Sequence, residues 1–167
     1  TRDDTGSWVY LRDVASGERW SAGYQPSGRT PDRYDVSFAE DRAEFLRRDG
    51  AITTRLEVIV SSEDDAEVRR VSITNDGART REIEVTSYAE IVLAPGVADE
   101  AHTAFSNLSI ETESIARRDT LLATRRPRSP ADGAAWLAHV LAVEGETVGD
   151  LEWETDRAQF VGRGRDL

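Results

Sequence analysis

Ala51-Ile52-Thr53-Thr54-Arg55-Leu56-Glu57-Val58-Ile59-Val60 sets the architecture of this chain. Ile52, Leu56, Val58 and Val60 share one parity, Thr53, Arg55 and Glu57 take the other, and Ile59 is the exception. Successive side chains of a strand point to opposite faces, so a period of two marks a strand with one buried face. Directly before it stands Asp49-Gly50, a pair that readily adopts the two positive φ angles of a type I′ turn, whose twist suits antiparallel strands. The two signals together predict a β-hairpin.

The same period recurs outward in both directions. From Arg81 to Leu93, Ile83, Val85, Ala89, Ile91 and Leu93 alternate with Glu82, Glu84, Thr86, Tyr88 and Glu90, which predicts one unusually long strand that bends or crosses between sheets. Shorter runs occur at Tyr34-Val36-Phe38, Val71-Ile73, Leu108-Ile110 and Trp136-Ala138-Val140. In the last, the opposite parity is also apolar (Leu137, Leu141, Val143), the pattern of a central strand covered on both sides. Further turn signals fall at Ser16-Gly17, Asn75-Asp76-Gly77 and Glu144-Gly145. No segment carries apolar residues at i, i+3, i+4 and i+7 over three turns, so helix is expected only as a short piece near Pro95 to Ala101. Ten or so hairpin-linked strands must bury their apolar faces against each other. The expectation is therefore an all-β, antiparallel two-sheet sandwich, in preference to a barrel. A chain of 167 residues suits one domain over its whole length. Residues 23–32, 94–106 and 125–134 are long irregular loops, where function tends to concentrate.

Composition excludes much chemistry. Cysteine and methionine are absent, and all 21 basic residues are arginine. Thiolate nucleophiles, zinc fingers, disulfides, a Walker lysine and a Schiff-base lysine are thus ruled out, and no cofactor is implied. A net charge of −11 opposes binding to nucleic-acid phosphates and anionic membrane surfaces. No apolar run reaches the roughly 18 residues a membrane helix needs, and Thr1-Arg2-Asp3-Asp4 is unlike a secretory signal. The chain is expected to be soluble and to be a piece of a longer polypeptide; its compartment stays open.

Aromatic side chains stack on the C–H faces of pyranose rings while flanking polar groups bond the hydroxyls. Trp20, Tyr24, Arg29 and Arg33, around Trp20-Ser21-Ala22-Gly23-Tyr24-Gln25-Pro26, form one such neighbourhood and are the carbohydrate-contact candidates. The competing reading is that Trp20 and Tyr24 fill the sandwich or meet a neighbouring domain. His102 and His139, the two imidazoles, could run proton transfer on a sugar only if a carboxylate and both rings converged, and nothing in their sequence positions brings them together. Glu63-Asp64-Asp65-Ala66-Glu67 lacks the ligand spacing and glycine of a helix-loop-helix calcium site and reads as a solvated turn. Neither a Gly-x-Ser-x-Gly elbow nor a dinucleotide fingerprint is present. No catalytic residue and no metal ligand is assigned.

Thr1-Arg2-Asp3-Asp4, Tyr10-Leu11-Arg12-Asp13 and Trp20 to Pro26 resemble, in order, the N-terminal sandwich of the cyclic β-1,2-glucan synthase and cellobiose phosphorylase group, glycoside hydrolase family ninety-four. The likeness continues through Glu67-Val68-Arg69-Arg70-Val71-Ser72-Ile73-Thr74-Asn75, Thr86-Ser87-Tyr88-Ala89-Glu90 and Phe105-Ser106-Asn107-Leu108, with the glucan synthase branch nearer. It implies a galactose mutarotase-like supersandwich placed before an (α/α)₆ barrel. That barrel performs phosphorolysis or glucan transfer and holds the catalytic acid, so no catalytic residue carries over. From the resemblance, an opening segment before Thr1 and closing strands after Leu167 are expected outside this sequence, and strand edges exposed in that way would be expected to pair with a second copy.

Three functions follow as expectations. The first is a non-catalytic carbohydrate-binding or substrate-bordering module of a bacterial β-glucan synthase or phosphorylase, with a β-glucan or glucose oligosaccharide and the adjacent barrel as partners. The second is an aldose mutarotase or epimerase using His102 or His139. The third is a docking or oligomerisation module without sugar affinity.

Overall fold

A computed structural model describes residues 6–94, 108–127 and 133–162. The short helix expected near Pro95 to Ala101 and the imidazole of His102 lie outside the described residues. The chain divides into two compact units, Ser7–Tyr88 on one side and Thr1–Gly6 with Ala89–Leu167 on the other.

The first unit is built from β1 (Ser7–Asp13), β2 (Arg19–Ser21), β3 (Arg33–Phe38), β4 (Arg42–Asp49), β5 (Ile52–Val60), β6 (Glu67–Asn75) and β7 (Ile83–Ala89), which ends one residue past the boundary. β3-β4-β5-β6 form a four-stranded antiparallel meander, and β2-β1-β7 form a second sheet. Val9 and Leu11 of β1, Trp20 of β2, Ala22, and Ile52 and Leu56 of β5 make one buried cluster, with Phe45, Val58, Val71 and Ile83 packed against it. Residues from both sheets meet there, which is the two-layer packing the alternation predicts. The register places Phe45 opposite Leu56 and Leu56 opposite Val71, so one apolar row crosses three strands.

The hairpin at Asp49-Gly50 forms, with a different turn from the one expected. Asp49 pairs with Ile52, leaving Gly50 and Ala51 as the two central residues, and only Gly50 has a positive φ, of 59°. One positive φ at the first central position is the type II′ pattern. The strand predicted from Arg81 to Leu93 is shorter: it ends at Ala89. Glu90 N–H still reaches Gly6 C=O at 2.9 Å, but Leu93 has a φ of 43°, which no extended ladder accommodates.

The second unit carries a three-stranded antiparallel sheet in the order β10-β9-β8, formed by β8 (Ile110–Ile115), β9 (Thr120–Arg125) and β10 (Trp136–Val140). A 3₁₀ turn, Ala116–Arg118, joins β8 to β9 through Asp119, whose φ of 47° is one of the left-handed conformations Asp tolerates. A single helical turn, α1 (Arg157–Phe160), is capped by Asp156, whose Oδ1 accepts Ala158 N–H at 2.8 Å. β10 differs from its prediction. It lies at a sheet edge, with Trp136 62% and Val140 63% exposed, and the middle strand is β9, whose Ala123 is buried. Apolar residues on both parities fit a covered strand, but the coverage itself depends on neighbours that the pattern does not specify.

Candidate functional site

The Trp20 neighbourhood is a loop fastened to the sheet by a buried cation. β2 ends at Ser21, and the loop runs on to Arg29 through a cis Gln25-Pro26 bond. Ser21 and Ser27 hydroxyls meet at 2.8 Å, Ser21 N–H donates to Ser27 Oγ at 3.1 Å, and Gly28 N–H donates to Tyr24 C=O at 3.0 Å. Beneath the loop lies Arg47 of β4, 0% exposed. Its Nε and one Nη2 hydrogen go to the two carboxylate oxygens of Asp49, at 2.7 and 2.8 Å. Nη1 donates to Ser21 C=O at 2.9 Å and Gly23 C=O at 2.7 Å, and Nη2 also donates to Arg29 C=O at 3.3 Å. A guanidinium has five N–H donors, and here five acceptors receive them, the condition under which a charge can be held without water.

Around this clamp the four carbohydrate-contact candidates separate. Trp20 is 2% exposed, and its indole N–H donates to the hydroxyl of buried Thr54 at 3.4 Å; its ring belongs to the core cluster. Tyr24 is 42% exposed and stands against Tyr34 with ring centroids 6.2 Å apart and planes at 53°. Tyr24 N–H donates to Tyr34 Oη at 3.1 Å. Arg29 tethers the same loop, donating to Glu18 at 2.9 Å and to Arg19 C=O at 3.4 Å. Arg33 precedes Tyr34 on β3 and so points to the opposite face of the sheet, where it is exposed and pairs with Asp35 at 2.6 Å. The fold thus keeps Tyr24 and Arg29 on the one loop that Arg47 clamps, puts Trp20 in the core and leaves Arg33 apart. Arg47 and Tyr34 were not singled out in the sequence. The available signal was Phe45, Arg47 and Asp49 on one parity, which sets an arginine and an aspartate two residues apart on the face of a buried aromatic.

A second buried charge closes the β1–β2 turn. Asp13 accepts Ala15 N–H at 2.9 Å and Ser16 N–H at 3.0 Å, and pairs with Arg81 at 2.6 Å. The Ser16 amide, then the Arg81 guanidinium and the Ala15 amide, hold this carboxyl below the usual carboxylate range against the opposing effect of burial. Near Arg81 is a shallow cleft of about 280 Å³ lined by Ala51, Asn75, Gly77, Ala78, Arg79 and Arg81, a lining without carboxylate or imidazole. His139 is half-buried on β10, opposite Leu121 of β9. Glu63 to Glu67 span the β5–β6 connection, where Ser61 Oγ accepts the amides of Glu63 and Asp64 at 3.3 and 3.1 Å, and these acidic residues are exposed. Among the described residues no group of three His, Asp or Glu side chains could hold a metal ion, and no helix is long and apolar enough to cross a membrane.

These features define an antiparallel two-layer β module with an aromatic loop fixed by buried arginine. The chain belongs to the family described as "Glycosyl hydrolase 94, supersandwich domain", which matches residues 1–167. It is similar to "Cyclic beta-(1,2)-glucan synthase NdvB" of Rhizobium meliloti (strain 1021), with 40% identity over 165 residues, 99% of this chain and 6% of the relative. "Solabiose phosphorylase" of Paenibacillus borealis is 29% identical over 161 residues, covering 93% of this chain and 19% of that protein. "N,N'-diacetylchitobiose phosphorylase" of Vibrio furnissii is 29% identical over 119 residues, 68% of this chain and 14% of its own length. The chain therefore spans well under a quarter of the curated relatives it matches.

Proposed function

We propose that this chain is a non-catalytic sandwich domain of a bacterial β-glucan synthase or phosphorylase, bordering a sugar site that an adjacent (α/α)₆ domain of the parent polypeptide completes. The observation that carries the reading is the match of the glycosyl hydrolase 94 supersandwich family along the whole chain, together with the resemblance to a cyclic glucan synthase. The chemistry of the loop supports it. Tyr24 offers an exposed aromatic face beside polar backbone, while Arg29, the partly exposed cation of the loop, is paired with Glu18, and Arg47 beneath it is buried and paired with Asp49. Such a surface suits a neutral polyol better than an anion.

Two measurements test the reading. Incubated with phosphate and either cellobiose or a β-1,2-glucan, the chain should release no sugar phosphate; turnover refutes the non-catalytic assignment. Titration with β-1,2-linked gluco-oligosaccharides, followed by tryptophan fluorescence, should saturate. A flat response at millimolar sugar, with a dimer on a sizing column, would instead indicate docking through strand edges.

A further inference from the structure

We infer that Tyr24 and Tyr34 form one aryl subsite for a neutral glucosyl ring and that Arg47 is its positioning residue, an inference that rests on the carbohydrate reading above. The two rings stand at 53° with centroids 6.2 Å apart, so they make a corner rather than a flat stack. One wall of that corner can take the C–H face of a pyranose while the other presents its edge and hydroxyl. Tyr34 Oη already accepts Tyr24 N–H, which leaves its own proton to donate outward, and among the described residues the Tyr24 hydroxyl has no hydrogen-bond partner.

The corner exists only while the loop keeps its shape. Arg47 reaches the carbonyls of Ser21, Gly23 and Arg29, which bracket Tyr24 on both sides in sequence. Its orientation is fixed in turn by the two-point contact with Asp49. A planar five-donor fork can join a carboxylate and three carbonyls at once; an ammonium with three donors cannot, even at equal charge. The ligand class follows from the charges. The loop's cations are already neutralised by Glu18 and Asp49, so a sugar without phosphate or carboxylate fits.

The test compares wild-type chain with Tyr24→Ala and Arg47→Lys, using a β-1,2-linked gluco-oligosaccharide as probe and NMR for both readouts. In the wild type, sugar should shift the ring protons of Tyr24 and Tyr34, and Tyr24→Ala should abolish saturation. Arg47→Lys should raise amide exchange at Tyr24, Ser27 and Gly28 by roughly tenfold or more while the β5–β6 amides are unchanged, and should weaken sugar binding by a similar factor. Unchanged exchange at those three amides overturns the role of Arg47 whatever the sugar does. Saturable shifts remote from the tyrosines overturn the subsite and leave the carbohydrate reading standing; no shift anywhere overturns both. If Arg47→Lys does not fold, Asp49→Asn keeps the guanidinium while weakening its anchor. It should loosen the same amides in the same order, and unaltered exchange there counts against the inference.

Discussion

Replacing Trp20 tests whether this aromatic is core or contact surface. The side chain is 2% exposed, and a tryptophan buries roughly 150–250 Å², which at about 25 cal/mol per Å² corresponds to about 4–6 kcal/mol as an upper bound. Truncating large buried aromatics to alanine costs about 3–5 kcal/mol, because neighbours collapse only partly into the cavity. Here those neighbours include Leu11, its cross-strand partner on β1, and Leu56. Trp20→Ala should therefore lower the urea midpoint by about 1.5–2.5 M, taking a slope of about 2 kcal/mol per M. Trp20→Phe keeps most of the volume but removes the donor to Thr54, and should cost about 1–3 kcal/mol. Far-UV circular dichroism is the assay, since it does not depend on the deleted fluorophore. A loss below about 1 kcal/mol for Trp20→Ala, with an unaltered slope, would refute the placement of this ring in the core.

Arg47→Met should destabilise by about 3–5 kcal/mol in chemical denaturation, because Asp49 is left buried without its partner, and adding Asp49→Leu should restore part of the loss; a double variant no better than the single one contradicts the pairing. Asp13 has a folded-state value held below its ordinary one, so its stabilising contribution is complete above about pH 3.9 and disappears as pH falls through the depressed value. The melting-temperature gap between wild type and Asp13→Asn should accordingly be wide at neutral pH and close in strong acid; a gap independent of pH rules this out. Gly50→Ala should cost about 1–2 kcal/mol, since the turn holds φ at 59°, and Gly50→Asn should cost less; equal stabilities for all three residues would show that the turn relaxes.

Some of this structure could be read directly from the chain. β5 coincides with the alternating run at Ala51 to Val60, because one of its faces lies on the core; β3 coincides with the run at Tyr34 to Phe38, although there only Tyr34 is partly buried and Val36 and Phe38 are exposed. β4 was not visible as a strand. Arg42-Ala43-Glu44-Phe45-Leu46-Arg47-Arg48-Asp49 puts Arg47 and Asp49 on the inward parity, so the charges that complete the clamp erase the alternation that would identify the strand. Thr54 likewise interrupts the apolar parity of β5 because its hydroxyl serves the indole of Trp20. Trp20, Tyr24, Arg29 and Arg33 are neighbours along the sequence, but which of them share a face is not legible there. Tyr34 lies ten residues from Tyr24, and the ring contact is made by the loop's return onto β3.

The sequence by itself determined that the protein is made of paired strands and lacks thiol and lysine chemistry. Its residue blocks also pointed to the supersandwich family, since periodicity, composition and local motifs are properties of neighbours along the chain. Only the tertiary structure decided that Trp20 faces inward, that Arg33 and Tyr34 part to opposite faces, and that a buried guanidinium secures the loop carrying Tyr24. Those outcomes depend on which strands become partners and in what register, and that is fixed by contacts between residues far apart in sequence.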